Sequence, residues 1–121
     1  ALGATVVLYD GAPLAPDPAI LWRMAHTERV TVFGTSAKYL AMLEKEGVVP
    51  REVADLSALR AILSTGSPLS AHSYDFVRDA VGARVRLSSI SGGTDIVSCF
   101  ALGDPTGPVY RGELQMRGLG M

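Results

Sequence analysis

The sequence predicts an α/β fold: a layered, largely parallel sheet flanked by helices. Three observations point there. Short apolar, β-branched runs alternate with amphipathic helical stretches, in the order strand, helix, strand, helix, strand, helix, strand. Two polar, glycine-bearing loops, at 64–68 and 91–95, fall at the carboxyl ends of predicted strands, where parallel sheets bind ligands. Hydrophobic residues make up 48% of the 121 positions and charged residues 19%, a globular balance.

Taken in order, Thr5 to Tyr9 is a β-branched run closed by Asp10-Gly11, which predicts a buried strand and a turn. A proline-bearing loop follows, with Asp17 suited to cap a helix and Pro18 to its first position. From Pro18 to about Glu28, Ile20, Leu21, Met24 and Ala25 share one side. Val30 to Phe33 predicts the second strand. Thr35 or Ser36 can cap the next helix, with Leu40, Ala41 and Leu43 inward and Gly47 at its stop. Val48 to Asp55 reads as a connection. Leu59 to Leu63 is the third strand, Ser70 caps a helix with Tyr74, Val77 and Val81 inward, and Gly82 ends it. Arg84 to Ile90 is the fourth strand. Ile96 to Leu102 and Glu113 to Met116 are candidates for further strands.

Several functions are disfavoured. Net charge is −1, only Lys38 and Lys45 are lysines, and no basic cluster occurs, so nucleic acid and anionic membrane fit poorly as partners. No apolar run approaches the roughly 20 residues of a membrane span. Cys99 is the lone cysteine; it excludes an internal disulfide, suits a reducing cytoplasm, and reads as a small buried hydrophobe. His26 and His72 lack metal-ligand spacing, and Trp22 and the methionines read as packing. There is no Walker-type phosphate loop and no Gly-x-Ser-x-Gly elbow. Both ends read as cut from something longer.

Two loops remain. In Ser91-Gly92-Gly93-Thr94-Asp95, the glycines allow close backbone approach, the threonine hydroxyl can donate to a phosphate oxygen, and the carboxylate can hold magnesium. In Ser64-Thr65-Gly66-Ser67-Pro68, amides and hydroxyls can face a nucleotide. On spacing alone, each loop fits an ordinary glycine turn better than a ligand site.

Their order changes the balance. A Gly66-Ser67-Pro68 loop, a helix, a strand and then Gly92-Gly93-Thr94-Asp95 resembles the acyl-adenylate-forming superfamily. The likeness extends to Gly3–Gly11, to Val30–Ser36, and to Leu87–Ile96 followed by Pro108–Gln115. These last stretches are similar to acetoacetyl-CoA synthetases in particular. The resemblance covers essentially the whole chain. It implies that residues 1–121 are a partial domain, a piece of the large N-terminal domain of an adenylate-forming enzyme. It also implies that ATP, Mg2+ and coenzyme A serve the activation of acetoacetate.

By position, the resemblance gives Thr94 the α-phosphate and a catalytic role, and Asp95 the metal. Gly66, Ser67 and Pro68 line the adenine side. Ser89, Ile90, Ser91, Gly92 and Gly93 pass between adenine and the acyl group, and Gly34, Thr35 and Gly92 border the acyl pocket. Two departures stand out: Ser91 occupies the place of the family's adenine-packing aromatic, and Asp95 is one methylene shorter than the usual Glu. Gly92 stands where acetate-restricted relatives carry a bulky aromatic, which implies room for a larger acid. The phosphate loop, ribose-binding Asp and catalytic Lys are expected outside this chain, so the chain alone is expected to be inactive.

Overall fold

The computed structural model describes residues 3–121. Two of the helices start where a serine side chain meets free backbone amides. The carboxylate of Asp17 accepts from Ala19 N–H at 2.8 Å, but the helix itself, α1 (Ile20–Thr27), begins after Ala19, later than the predicted start. Trp22 and Ala25 are its buried residues; Ile20, Leu21 and Met24 are only partly covered. Strand β1 (Val32–Ser36) follows and ends in a cap: Ser36 Oγ accepts from Tyr39 N–H at 3.2 Å and opens α2 (Ala37–Lys45). Leu40 and Leu43 of α2 are fully buried, as the pattern predicts. Ala41 is exposed and Tyr39 takes the inward place instead. Gly47 leaves the helix at φ +68°, the left-handed region that suits glycine.

The predicted connection at 48–55 contains a helical turn, α3 (Pro50–Val53), with proline at its start. Strand β2 (Ala61–Thr65) lies two residues later than predicted and takes in Ser64 and Thr65, so the loop begins at Gly66. Ser70 Oγ accepts from Ser73 N–H at 3.2 Å and opens α4 (Ala71–Phe76), which runs on into a π-helical turn at Val77–Val81 before Gly82. Strand β3 (Arg86–Ser89) completes the first sheet.

β1, β2 and β3 run parallel in that order, with Phe33 level with Ile62 and Ile62 with Leu87. That row faces the helices. Phe33, Ile62 and Leu87 share one core with Trp22, Leu40, Leu43, Tyr74, Val77 and Val81. Trp22 stacks on Phe33 at 4.9 Å between ring centroids, and Tyr39 packs on Phe33 at 6.4 Å. The helices therefore cover one face of the sheet.

The second sheet differs from expectation. β4 (Ser91–Gly93), β5 (Ser98–Leu102) and β6 (Met116–Arg117) pair antiparallel, with β5 in the middle. The segment expected as a free loop at 91–95 is thus the first arm and turn of a hairpin, with a bulge between Ser91 and Gly92. The connection from β5 to β6 forms a strap across the other face of β3. Arg86 reaches the carbonyls of Asp104 (3.1 Å) and Gly107 (2.7 Å). Gln115 accepts from Asp104 N–H (3.2 Å) and donates to the carbonyls of Pro108 (3.0 Å) and Asp104 (3.2 Å).

Residues 5–9 correct the sequence reading. They enter no ladder, and Val6 and Leu8 are exposed. A β-branched run satisfies strand propensity, but a strand exists only where a neighbour pairs with it, and none does among the described residues.

Candidate functional site

The carboxyl ends of β2 and β3 open into a cleft of about 430 Å³. One wall is the last residue of β2, Thr65, and the turn after it: Gly66, Ser67, Pro68 and Leu69. The facing wall is Ser89 to Gly92, and Gly112 to Leu114 of the strap close a third side. Gly66 turns the chain at φ +87°, a backbone that side-chain-bearing residues seldom adopt. The facing wall is fixed by one further parallel bond, Ile90 N–H to Ser64 C=O at 2.8 Å, after which the chain leaves for the second sheet. Two walls rich in small polar residues, beside partly apolar side chains, suit a flat, hydrogen-bonding ligand.

Of the residues singled out in the sequence, Gly66, Ser67, Pro68, Ser89, Ile90, Ser91 and Gly92 lie together on this cleft. Gly93 ends β4, and Thr94 and Asp95 sit exposed in the hairpin turn beyond it; none of the three lines the cleft. Gly34 and Thr35 are on β1, the far edge strand. Gly34 borders a separate groove of about 850 Å³ that also takes in Val7, Leu8 and Val32.

Gly92 has a backbone reason to be glycine. A Cβ there would run into the carbonyl oxygen of Ser98 and lie 2.8 Å from Cys99 Cα, both on β5. That side chain would strike the hairpin's own partner strand, whatever acid is bound.

Sequence reasoning missed the third wall. The sequence pattern marks Tyr74 only as a core residue. It does pack inward, but it also borders the cleft and donates its hydroxyl to Glu113 C=O at 2.9 Å. Burial pushes its ionisation up, which keeps the phenol a donor. Beside it, Asp75 holds Arg111, and the hydrogen-bonded guanidinium keeps the Asp75 carboxyl below the ordinary range. In the strap, the hydroxyl and N–H of Thr106 lower Asp104 in the same way. Contacts across 36 or 39 positions leave no local trace in a sequence.

No group of three potential metal ligands occurs among the described residues. Asp95 is a single exposed carboxylate. One carboxylate fits magnesium that arrives on a nucleotide, because magnesium keeps several waters and is usually shared between one or two carboxylates and substrate phosphates. Among the described residues, no helix is long and apolar enough to cross a membrane.

The family described as "AMP-binding enzyme" matches residues 1–115. Among curated relatives, the acetoacetyl-coenzyme A synthetase of Rhizobium meliloti (strain 1021) is 54% identical across all of this chain. The malonamoyl-CoA synthetase of Penicillium aethiopicum is 39% identical, again across all of it. The solved structure of acetoacetyl-CoA synthetase from Streptomyces lividans superposes with a TM-score of 0.88 at 47% identity over 98% of the chain. In each case the chain spans 19% of the other protein's length.

Proposed function

The chain belongs to the AMP-binding enzyme family, and from that premise we propose that it is part of the N-terminal domain of an acid–thiol ligase that activates acetoacetate with ATP and passes it to coenzyme A. One observation carries the reading. The Gly66-Ser67-Pro68 turn and the Ser89–Gly92 segment form opposite walls of one cleft at the strand ends, in a chain 54% identical throughout to an acetoacetyl-coenzyme A synthetase.

In this reading the acid's carboxylate oxygen bonds to the α-phosphorus of ATP as the bond to the β-phosphate oxygen breaks. Pyrophosphate leaves and an acyl-adenylate remains. The sulfur of coenzyme A then bonds to the acyl carbon, AMP leaves, and the thiol proton is lost. The adenine lies between the 66–68 turn and residues 89–92. Ser91 offers no stacking ring, so Tyr74 and Ile90 supply the apolar surface in the cleft. Thr94, beyond the cleft in the hairpin turn, donates to the α-phosphate, where preorganised donors stabilise developing charge. Asp95 would hold magnesium together with the ATP phosphates; bound there, the ion supplies charge neutralisation. Gly34 and Thr35 are assigned to the acyl side. With the lone Cys99 free, a reducing cytosol is the setting this reading carries.

The two substrates named by the relatives share a feature. Acetoacetate and malonamate both carry a second carbonyl, separated from the activated carboxylate by one methylene, and differ only in a terminal methyl or amino group. The test is pyrophosphate release by the full protein that carries this chain, with acetoacetate, malonamate, butyrate and acetate compared at one ATP concentration. Acetoacetate well above butyrate, which lacks the second carbonyl, is the expected result. Butyrate or acetate equal to acetoacetate would keep the adenylating chemistry and discard the substrate. No release with any acid would point to a nucleotide-binding module without catalysis. The isolated 121-residue chain is expected to show no turnover.

A further inference from the structure

We propose that Arg111 is a positioning residue: by latching the strap onto α4 it fixes the Gly112–Leu114 wall of the cleft and thereby sets the affinity for ATP. The proposal rests on reading that cleft as the nucleotide site.

Arg111 does not line the cleft. It lies in a shallow surface groove on the far side of the strap, beside Asp75, Arg78 and Val85. From there its Nε donates to both carboxylate oxygens of Asp75, at 3.0 and 2.9 Å, and a terminal nitrogen lies 2.7 Å from Oδ2. One residue earlier on the same helix, Tyr74 donates to Glu113 C=O at 2.9 Å. Two neighbouring residues of α4 thus grip two strap residues on either side of Gly112.

Gly112 sits at φ +79°, and a Cβ there would lie 3.4 Å from Ala71 Cβ, so the strap passes close over the first turn of the helix. At its base, the strap is already tied to β3 through Arg86 and internally through Gln115. The base therefore stays put if the latch is cut, and the part released is the wall facing the ligand.

Exposed ion pairs usually contribute little, because water and salt screen them. A planar guanidinium engaging both oxygens of one carboxylate is the exception that fixes geometry as well as charge, and lysine does not reproduce it. The latch is therefore expected to act on placement of the wall, leaving the fold intact.

The experiment titrates ATP against the full protein at saturating acetoacetate, comparing wild type with Arg111→Met, Arg111→Lys and Arg78→Met. Arg78 also contacts Asp75, at 3.3 Å, but from within the helix and without touching the strap. The expected result is a KM for ATP raised about three- to tenfold in Arg111→Met, since misplacing a binding wall weakens every contact it makes. Partial recovery is expected in Arg111→Lys, with kcat within about twofold and Arg78→Met at the wild-type value. Wild-type KM in Arg111→Met overturns the proposal, and so does an equal rise in Arg78→Met, which would mark a general loosening of α4. Should Arg111→Met fail to fold, Arg111→Lys decides alone: a raised KM supports the latch and an unchanged one overturns it. If the wild type releases no pyrophosphate, direct ATP binding by calorimetry replaces turnover, with the same expected ratios. Wild type that binds no ATP at all removes the cleft reading and the latch with it.

Discussion

At Gly92 the absence of a side chain follows from a contact inside the hairpin. An added methyl would overlap the Ser98 carbonyl and crowd Cys99 Cα. Its neighbour Gly93 has nothing within 4 Å of the same position. Gly92→Ala is therefore expected to lose about 1–3 kcal/mol of stability, the usual range for forcing atoms into a filled space. Gly93→Ala should stay within about 0.5 kcal/mol, as exposed substitutions usually do. Urea unfolding of the two variants side by side checks this; equal losses would mean that the hairpin yields where the geometry says it cannot. The pairing also limits what a bulky residue at Gly92 can report. A Gly92→Trp variant with altered acid preference could owe the change to a displaced hairpin, so the comparison of acids in the unaltered protein is the cleaner test. The sequence shows the two glycines but not which one touches a strand, because that strand begins six residues later.

Helix α2 shows how an element can be right while one of its contacts is costly. Its cap at Ser36, its buried Leu40 and Leu43, and its stop at Gly47 were all legible from local chemistry. Tyr39 was not. Its ring fills the core against Phe33, yet its hydroxyl and the Trp22 indole N–H are both buried without a partner in hydrogen-bonding geometry. Burial pushes Tyr39 up to about 12, and the nearby Trp22 indole offsets little of that. The unfolded chain releases this proton near pH 10 while the folded chain keeps it. The stabilisation is thus complete below about pH 10 and is lost as pH rises towards 12. Tyr39→Phe is expected to be neutral or stabilising at pH 7, since it removes an unpaired buried hydroxyl, and to weaken the alkaline loss of stability. Thermal unfolding at pH 7 and pH 10.5 checks both. A variant less stable at pH 7 would mean that the hydroxyl has a partner after all.

The three parallel strands were legible by the same local logic to within three residues, because apolar β-branched runs bounded by turn residues mark such strands well; the equally β-branched run at 5–9 shows that the pattern alone does not make a strand. The hairpin is legible only in part: Ile96 to Leu102 is a candidate strand and contains β5, but 91–95 reads as a loop. Its first arm is serine and two glycines, with no strand propensity, and it is held only by pairing with Ser98–Leu102. The same reason explains the candidate site. The two walls that follow β2 and β3 were legible because each is continuous in sequence. The third wall, from Gly112 to Leu114, depends on Tyr74 and Asp75, which no local pattern ties to it.

Across the whole molecule, the helices shield one face of the parallel sheet and the strap shields β3 on the other. The edge strand β1 keeps an open side: Val32 is 53% exposed, and in the groove beside it Leu8 is 87% exposed. An apolar groove beside a free strand edge is a template for association. A net charge of −1 offers little repulsion against it. The isolated chain is expected to self-associate at micromolar concentration, and Leu8→Lys to reduce this without lowering the unfolding temperature, since Leu8 packs on little. Light scattering with a thermal melt checks the pair; a monodisperse monomer for the unaltered chain would show that the groove closes on itself.

The bulge between Ser91 and Gly92 has an evolutionary corollary. It sets the register in which the hairpin arms meet, and a slip of one residue would turn every side chain of β5 to the opposite face. The stretch from 91 to 102 can then hardly change in length. Among descendants of a common ancestor, insertions should avoid the turn that carries Thr94 and Asp95.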